Sequence, residues 1–509
     1  MTGPQRRGRK ERRGAPAARH VDYRHLRHPF APQKVLRDET VEAIHDMALD
    51  VLERLGMKIL LPEARAIFAA GGALADAETE MVRIGREIIA EALRTAPSAF
   101  PLNAPNPARS LRYEDGNLIF SPGSGCPNVT DRIRGRRPGS LAAYEETLRL
   151  HQSFDVIHKL GPSAEPQDVP VNLRHYAMMR GQLALSDKPV FVYARGRAQV
   201  MDGFAMLRLA LDLSEAEFAA APWCTTVINT NSPRQIDKPM AEGIIDFARA
   251  GQMSIITPFC LAGAMAPVTV EGALVLQHAE CLAGIALAQL ARPGAPVSYG
   301  GFSSNVDMKS GAPAFGTPTH IRMAIGTGQL ARHVGLPWRS AAGSAGNLAD
   351  MQAAGENHMG LWANLMANAT MVVHSAGWLE GGLTFGYEKY INDIEALQTI
   401  AELCKPLATQ PDDLAWAAIA DVAPGGHFFA TAHTMARYDS AFYAPLVADL
   451  SNHGTWAAAG RKSATGRATA IWQQVLADFT PPPGAGERAG RLEAFIARRS
   501  AEGGAPPPD

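Results

Sequence analysis

Eight short apolar, β-prone runs recur along residues 116–409, and helix-length segments separate most of them. The runs are Leu118–Phe120, Val156–Leu160, Val190–Tyr193, Thr225–Asn229, Ser254–Thr257, Val297–Gly300, Trp338–Ala342 and Met371–His374. Continuous rather than alternating apolar character suits strands covered on both faces, as in parallel sheets. Stretches such as Val270–Leu290 and Gln352–Ala367 have the length of covering helices. Eight strand–helix pairs predict an α/β fold of the (β/α)8, TIM-barrel type. A doubly wound open sheet is the competing topology. It usually carries a nucleotide-binding glycine loop, and no G-x-G-x-x-G follows a strand here.

The flanks read differently. Residues 31–115 form a helical N-terminal region with short extended pieces. Its first helix starts near Asp38–Glu39, carries a stripe from Val41 and Ile44 to Leu52 and Leu55, and stops at Gly56; a second spans Arg86–Thr95. Residues 410–480, with Trp416, Trp456 and Trp472, read as a C-terminal helical extension. Residues 1–30 read as a disordered basic arm and 481–509, with Pro481–Pro483 and Pro506–Pro508, as a disordered tail.

Charge and cysteine content narrow the class. Net charge is −1, so the chain as a whole is no nucleic-acid binder. Residues 1–28 hold nine Lys/Arg against Glu11 and Asp22. With no aromatic among the arginines, a solvated tail is the plain reading of that arm; contact with RNA, an anionic surface or an acidic partner is the other. Five scattered cysteines make no disulfide framework, and no signal peptide or run of 18 apolar residues is present. A reducing cytoplasm, with no membrane, is the expectation.

In a barrel of this type the chemistry sits at the C-terminal ends of the strands. Those positions are rich in small residues, amides and aromatics, among them Tyr193, Asn229, Phe259, Tyr299, Phe302 and Trp378. Such rings attract a cation without needing a hydrogen bond. No lysine stands at a predicted strand end, which argues against a Schiff-base aldolase. No metal-binding set such as H-E-x-x-H appears. His427 and His433 are a candidate ligand pair, with ordinary packing histidines the plainer reading. Cys126 is a candidate nucleophile without a partner base; a loop made mobile by Gly123 and Gly125 is the plainer reading. Arg195, Asn229, Asn231 and Arg339 are all near strand ends as clamps for a carboxylate, and none stands out.

Several segments together resemble the trimethylamine methyltransferase family. They are Gly123-Ser-Gly-Cys-Pro-Asn-Val, Asp168-Val-Pro, Gly263-Ala-Met-Ala-Pro-Val-Thr, Pro293-Gly-Ala-Pro-Val, Asp350-Met-Gln-Ala and Gly425-Gly-His-Phe, in family order over roughly residues 30–475. The resemblance implies a TIM barrel that takes a methyl group from a methylated amine, usually to cobalt(I) in a separate corrinoid protein. One position departs. Four residues before the Asp of the Asp-x-Gln motif the founding enzymes carry pyrrolysine, and the matching residue here is Gly346. Glycine betaine methyltransferases are similar relatives that also lack it.

The resemblance therefore implies a methyltransferase acting on a quaternary amine of the glycine betaine kind. Gly346, Asp350, Gln352 and Glu356 would be its catalytic positions, the last two sharing one helix face. The expectation is no tightly bound cofactor or metal and a corrinoid (cobalamin) on a partner protein. The nearest match to a base-off cobalamin motif, Asp155 to Gly161 through His158, has one residue too many. A homo-oligomer is expected. Alternatives are another methylated donor, direct transfer to tetrahydrofolate, or a non-catalytic barrel that binds quaternary amines.

Overall fold

The computed structural model describes residues 22–507. Its centre is an eight-stranded sheet, and seven of the strands are parallel. In chain order these are β1 (Asn117–Phe120), β2 (Val190–Phe191), β3 (Cys224–Ile228), β4 (Met253–Ile256), β5 (Val297–Gly300), β6 (Trp338–Ala341) and β7 (Met371–Val373). The spatial order is β1-β7-β6-β5-β4-β3-β2. The strands β4 to β7 are buried throughout, as continuous apolar runs require.

One expected strand makes no ladder. The run Val156–Leu160 is irregular, yet it lies between the two ends of the parallel array. His158 N–H donates to Phe120 O of β1 at 3.0 Å, and Leu160 N–H donates to Pro189 O beside β2 at 3.0 Å. The Nζ of buried Lys188 fixes the turn before it, donating to the carbonyls of His151, Phe154 and Ile157 at 2.5, 2.8 and 2.5 Å. A helix follows each strand or this segment: α1 (Leu141–Ser153), α2 (Arg174–Leu185), α3 (Arg197–Leu211), α4 (Lys238–Arg249), α5 (Val270–Ala291), α6 (Pro318–His333), α7 (Met351–Met366) and α8 (Tyr387–Leu403). The helix α5 is long and apolar enough to cross a membrane, but 89% of its apolar window is buried inside the fold, which makes it a core helix.

His158 joins the seam chemically. Phe120 N–H donates to its Nδ1 at 2.7 Å, so that nitrogen is an acceptor and Nε2 carries the proton that reaches Tyr23 O at 2.8 Å. Burial pushes this imidazole down to about 4. The unfolded chain binds the proton near pH 6.5, so it holds more protons than the folded chain between those values. Stability is therefore whole above pH 6.5 and falls as pH drops towards 4, by about 3 kcal/mol from this residue. Urea unfolding at pH 7.0 and 5.0 should show the loss, and His158→Gln should shrink it.

The helices of the N-terminal region pack on α5, and its hairpin covers one end of the sheet. Its first helix spans Asp38–Asp50, continues as a wider turn through Leu55 and stops at Gly56; another spans Arg86–Thr95. A hairpin of Ala99–Leu102 and Leu111–Glu114 fills the start of the strands, where Phe100 and Tyr113 pack with Ile119, Met253, Ile255 and Met371. Tyr113 Oη lies 2.6 Å from Ser298 Oγ.

Two expectations at the ends need correction. Residues 1–21 of the expected arm lie outside the described residues. Residues 22–30 are not a loose arm: Leu26–Arg27 pairs antiparallel with β1. The expected loose tail at 481–509 is helical over Ala485–Gly490 and Glu493–Ala501. Leu492 is fully buried there, and Arg488 donates to Leu183 O and Ser186 O at the end of α2. The prolines and glycines masked a helix pair held by such distant partners. In the C-terminal extension, Trp472 is core and Trp416 is 79% exposed, so only part of that extension packs on the body.

Candidate active site

Beyond the C-terminal ends of the strands lies a cavity of about 390 Å³. Strand parity decides what it sees. In β6, Trp338 points outward, its Nε1 donating to Asn368 O at 3.0 Å, so Arg339 points inward. In β5 the parity is opposite for the expected ligand Tyr299. Its hydroxyl meets His278 Nδ1 on α5 at 2.8 Å, and it does not line the cavity. The other five expected substrate residues, Tyr193, Asn229, Phe259, Phe302 and Trp378, do line it.

The rings form two groups. Phe302 is central to one, with centroids 5.1 Å from Phe259, 5.2 Å from Phe315, 5.4 Å from His374 and 5.7 Å from Trp378. His374 stacks on Trp378 at 4.5 Å. Glycines bed the indole: a Cβ on Gly343 (φ +110°) would collide with it, and one on Gly382 (φ +107°) would reach it at 2.6 Å. Both need the left-handed region, so backbone and ring fit demand glycine together. The second group is Phe191 with Tyr193, edge to face at 5.2 Å.

Among the described residues no Asp or Glu lines the cavity, and Lys159, Arg195 and Arg339 do. Arg195 sits over Tyr193 at 4.2 Å and pairs with Glu165 at 2.5 Å. Burial works to raise the Glu165 carboxyl, and the Arg195 and Arg174 partners outweigh it and hold it low. Arg339 is 2% exposed, and its Nε and Nη1 have no partner among the described residues. Burial lowers it to about 9. Lys159, also 2% exposed, donates to the adjacent Leu160 O at 2.7 Å; burial first, then Arg339, lowers it to about 7. His374 is pushed well down by burial and by Arg339, so its ring is neutral at pH 7. The Tyr193 hydroxyl, Trp378 Nε1 and His374 Nδ1 also have no partner among the described residues.

The four positions implied as catalytic are brought together at the loop after β6 and the start of α7; none of them lines this cavity, and Asp350 lines a different one. Glu356 Oε2 accepts from Ser344 Oγ (2.6 Å), Ala345 N–H (2.8 Å) and Gly346 N–H (3.1 Å), and its Oε1 accepts from Gln352 Nε2 (2.8 Å). Asp350 caps α7 through Gln352 N–H at 3.0 Å. This arrangement ties the loop after β6 to the helix it precedes. Gly346 is not open space, because a Cβ there would meet Ser344 Oγ at 3.1 Å and Ala353 at 3.4 Å.

Other candidates lose their chemistry. Cys126 is fully buried, which pushes its thiol up and removes the nucleophile. Its loop is tied down: Gly123 N–H donates to Ala376 O and Cys126 N–H to Ser163 O. His433 meets Asp412 O while His427 packs near Phe429, so the two do not form a ligand pair. Among the described residues no group of three His, Cys, Asp or Glu could hold a metal. Asn231 turns to Asp237 instead of the cavity. Sequence reasoning passes over Lys159 because it sits inside the run Val156–Leu160; a charge within an apolar strand run is the signal that could find it.

The family model described as Trimethylamine methyltransferase (MTTB) matches residues 4–504. Glycine betaine methyltransferase of Desulfitobacterium hafniense (strain Y51) is 34% identical over 472 residues, covering 92% of this chain and 98% of that protein. Trimethylamine methyltransferase MttB of Desulfitobacterium hafniense (strain DSM 10664 / DCB-2) is 29% identical over 448 residues, covering 88% and 90%. The crystal structure of Methanosarcina barkeri monomethylamine methyltransferase (MtmB) aligns over 92% of this chain and 96% of that one, with a TM-score of 0.44 and 10% identity.

Proposed function

The chain belongs to the trimethylamine methyltransferase family and is a methyltransferase, and from that premise we propose that its donor is a quaternary amine of the glycine betaine kind. The acceptor in this reading is the cobalt(I) of a corrinoid carried by a separate protein. The observation that carries the donor is the cavity: aromatic rings line it, no carboxylate does, and its histidine is held neutral.

The chemistry of the leaving group explains why so little acid–base equipment serves. When a nucleophile attacks a methyl carbon in line, the carbon–nitrogen pair stays on nitrogen. A quaternary nitrogen then leaves as a neutral tertiary amine and needs no proton. A neutral tertiary amine would have to leave as an amide anion, so it must first be made cationic. Gly346 offers no side chain for that, and its neighbours fill the space where one would start. The protein's task reduces to holding one N–CH3 bond towards the cavity mouth, which is catalysis by position. Rings serve a charge that has no N–H to donate.

The same reading takes the sheet as a closed (β/α)8 barrel. The hydrogen bonds of residues 158 and 160 to both ends of the parallel array support it, as does a helix after each of its members. His158, in the segment nearest to a base-off motif, is engaged on both ring nitrogens, which supports a corrinoid held by the partner.

Binding tests the donor. Glycine betaine should bind at least about tenfold more tightly than dimethylglycine, because a protonated tertiary amine brings an N–H that the rings leave unpaired, at a cost of about 1–3 kcal/mol. Calorimetry at pH 7 reads the ratio. Equal binding would contradict the quaternary donor.

A further inference from the structure

We propose that Arg339, with Lys159 beside it, is a carboxylate-binding end of the cavity, so that the ligand it selects is a zwitterion and not a simple cation. The inference rests on the reading that this cavity holds the methyl donor, and it adds the ligand's second charge.

The cavity holds more positive charge than its own residues compensate. Arg195 has Glu165 at 2.5 Å. Arg339 has no carboxylate partner among the described residues and leaves Nε and Nη1 unbonded on a side chain that is 2% exposed. Lys159 spends one N–H on Leu160 O, and an ammonium has three. Burying a cation without a partner is costly, and proteins pair such groups or neutralise them. The lowered ionisation of both side chains expresses that cost. A ligand carboxylate would remove it. The guanidinium presents parallel N–H groups in a planar fork that matches the two oxygens of a carboxylate.

Position within the cavity gives the second half. Arg339 lies over the Phe302 ring at 5.5 Å, so one ring borders both the anion-binding fork and the aromatic group of Trp378 and Phe259. A trimethylammonium group placed against those rings comes near the buried Arg339 guanidinium. At short range in a low-dielectric site that repulsion is large. A ligand that carries its own carboxylate a few bonds from its quaternary nitrogen turns the repulsion into attraction. Tetramethylammonium or choline does not. The cavity thus selects betaines by a pairing that aromatic walls alone would not impose.

Three probes separate the parts: glycine betaine, 3,3-dimethylbutanoate (the same shape and carboxylate with carbon in place of nitrogen) and tetramethylammonium. Calorimetry on wild type and Arg339→Met should show betaine and dimethylbutanoate weakened 10- to 100-fold in the variant, with tetramethylammonium unchanged or tighter. Lys159→Met should move the same way by less. Removing an unpaired buried cation should leave the melting temperature equal or higher, a result that a purely structural role would reverse. Arg339→Lys keeps the charge without the fork and should fall between wild type and Met. Unchanged betaine binding in Arg339→Met, or equal loss of all three probes, would overturn the proposal. If wild type binds dimethylbutanoate as tightly as betaine and Arg339→Met weakens both, the carboxylate end stands and the quaternary-donor reading falls.

Discussion

Trp378→Ala should lose about 30-fold or more in affinity for the donor and about 3–5 kcal/mol of stability. The binding loss is that of a desolvated cation–π contact worth about 2 kcal/mol or more. The stability loss is that of a large buried ring removed from a bed that cannot collapse. Trp378 is 4% exposed and stacks on His374, with Phe302 and Phe315 edge-on. Its bed is backbone at Gly343 and Gly382, where no side chain is present to move into the space. Trp378→Phe keeps a ring face and should retain most of the affinity while still losing stability. Calorimetry at a temperature where each variant is folded, beside thermal melts, separates the two losses. Full affinity in Trp378→Ala would remove this ring from the substrate.

Asp393→Ala should destabilise the protein by about 3–5 kcal/mol and disorganise the site from behind. Lys389 and Asp393 pair at 2.5 Å across one turn of α8, each 2% exposed. Removing one partner strands a buried charge, which costs far more than the pair contributes. Asp393 has a second task, because its Oδ2 accepts the N–H of Gly377 at 2.8 Å, immediately before Trp378. The substitution therefore frees the loop that carries His374 and Trp378. Asp393→Asn keeps an acceptor for Gly377 but leaves Lys389 uncompensated, so it should lose stability with a smaller loss of binding. Chemical denaturation and donor titration of the two variants read these effects. Equal binding loss in both would show that the charge and not the loop bond positions the ring.

The sequence made the strands and their helices legible because burial on both faces writes continuous apolar runs. Val297–Gly300 is reproduced to the residue, and the others to within one or two. It failed at Val156–Leu160, where Lys159 and His158 serve cavity and seam and no regular ladder forms. The aromatic half of the site was legible from position at strand ends, except Tyr299. There strand bounds exact to the residue still leave open which alternate side chains face inward, and the Tyr299 ring turns to α5. Arg339 was one of several clamp candidates, and what distinguishes it is that it has no carboxylate partner among the described residues, which only the fold reveals. The Asp350 to Glu356 motif was legible as a helix start. Its tie to the loop at Gly346 depends on three hydrogen bonds that no spacing rule supplies.

Delivery of a methyl group from a quaternary amine held in this cavity can be followed directly. The most direct measurement follows the methyl carbon of ¹³C-methyl-labelled glycine betaine by NMR, with the enzyme and cobalamin reduced to cobalt(I). Methylcobalamin and dimethylglycine should form in equal amounts, and no methylcobalamin should form when labelled trimethylamine replaces the betaine. Tight binding of betaine without transfer of its methyl group, or transfer from trimethylamine at a comparable rate, would contradict delivery from a quaternary amine.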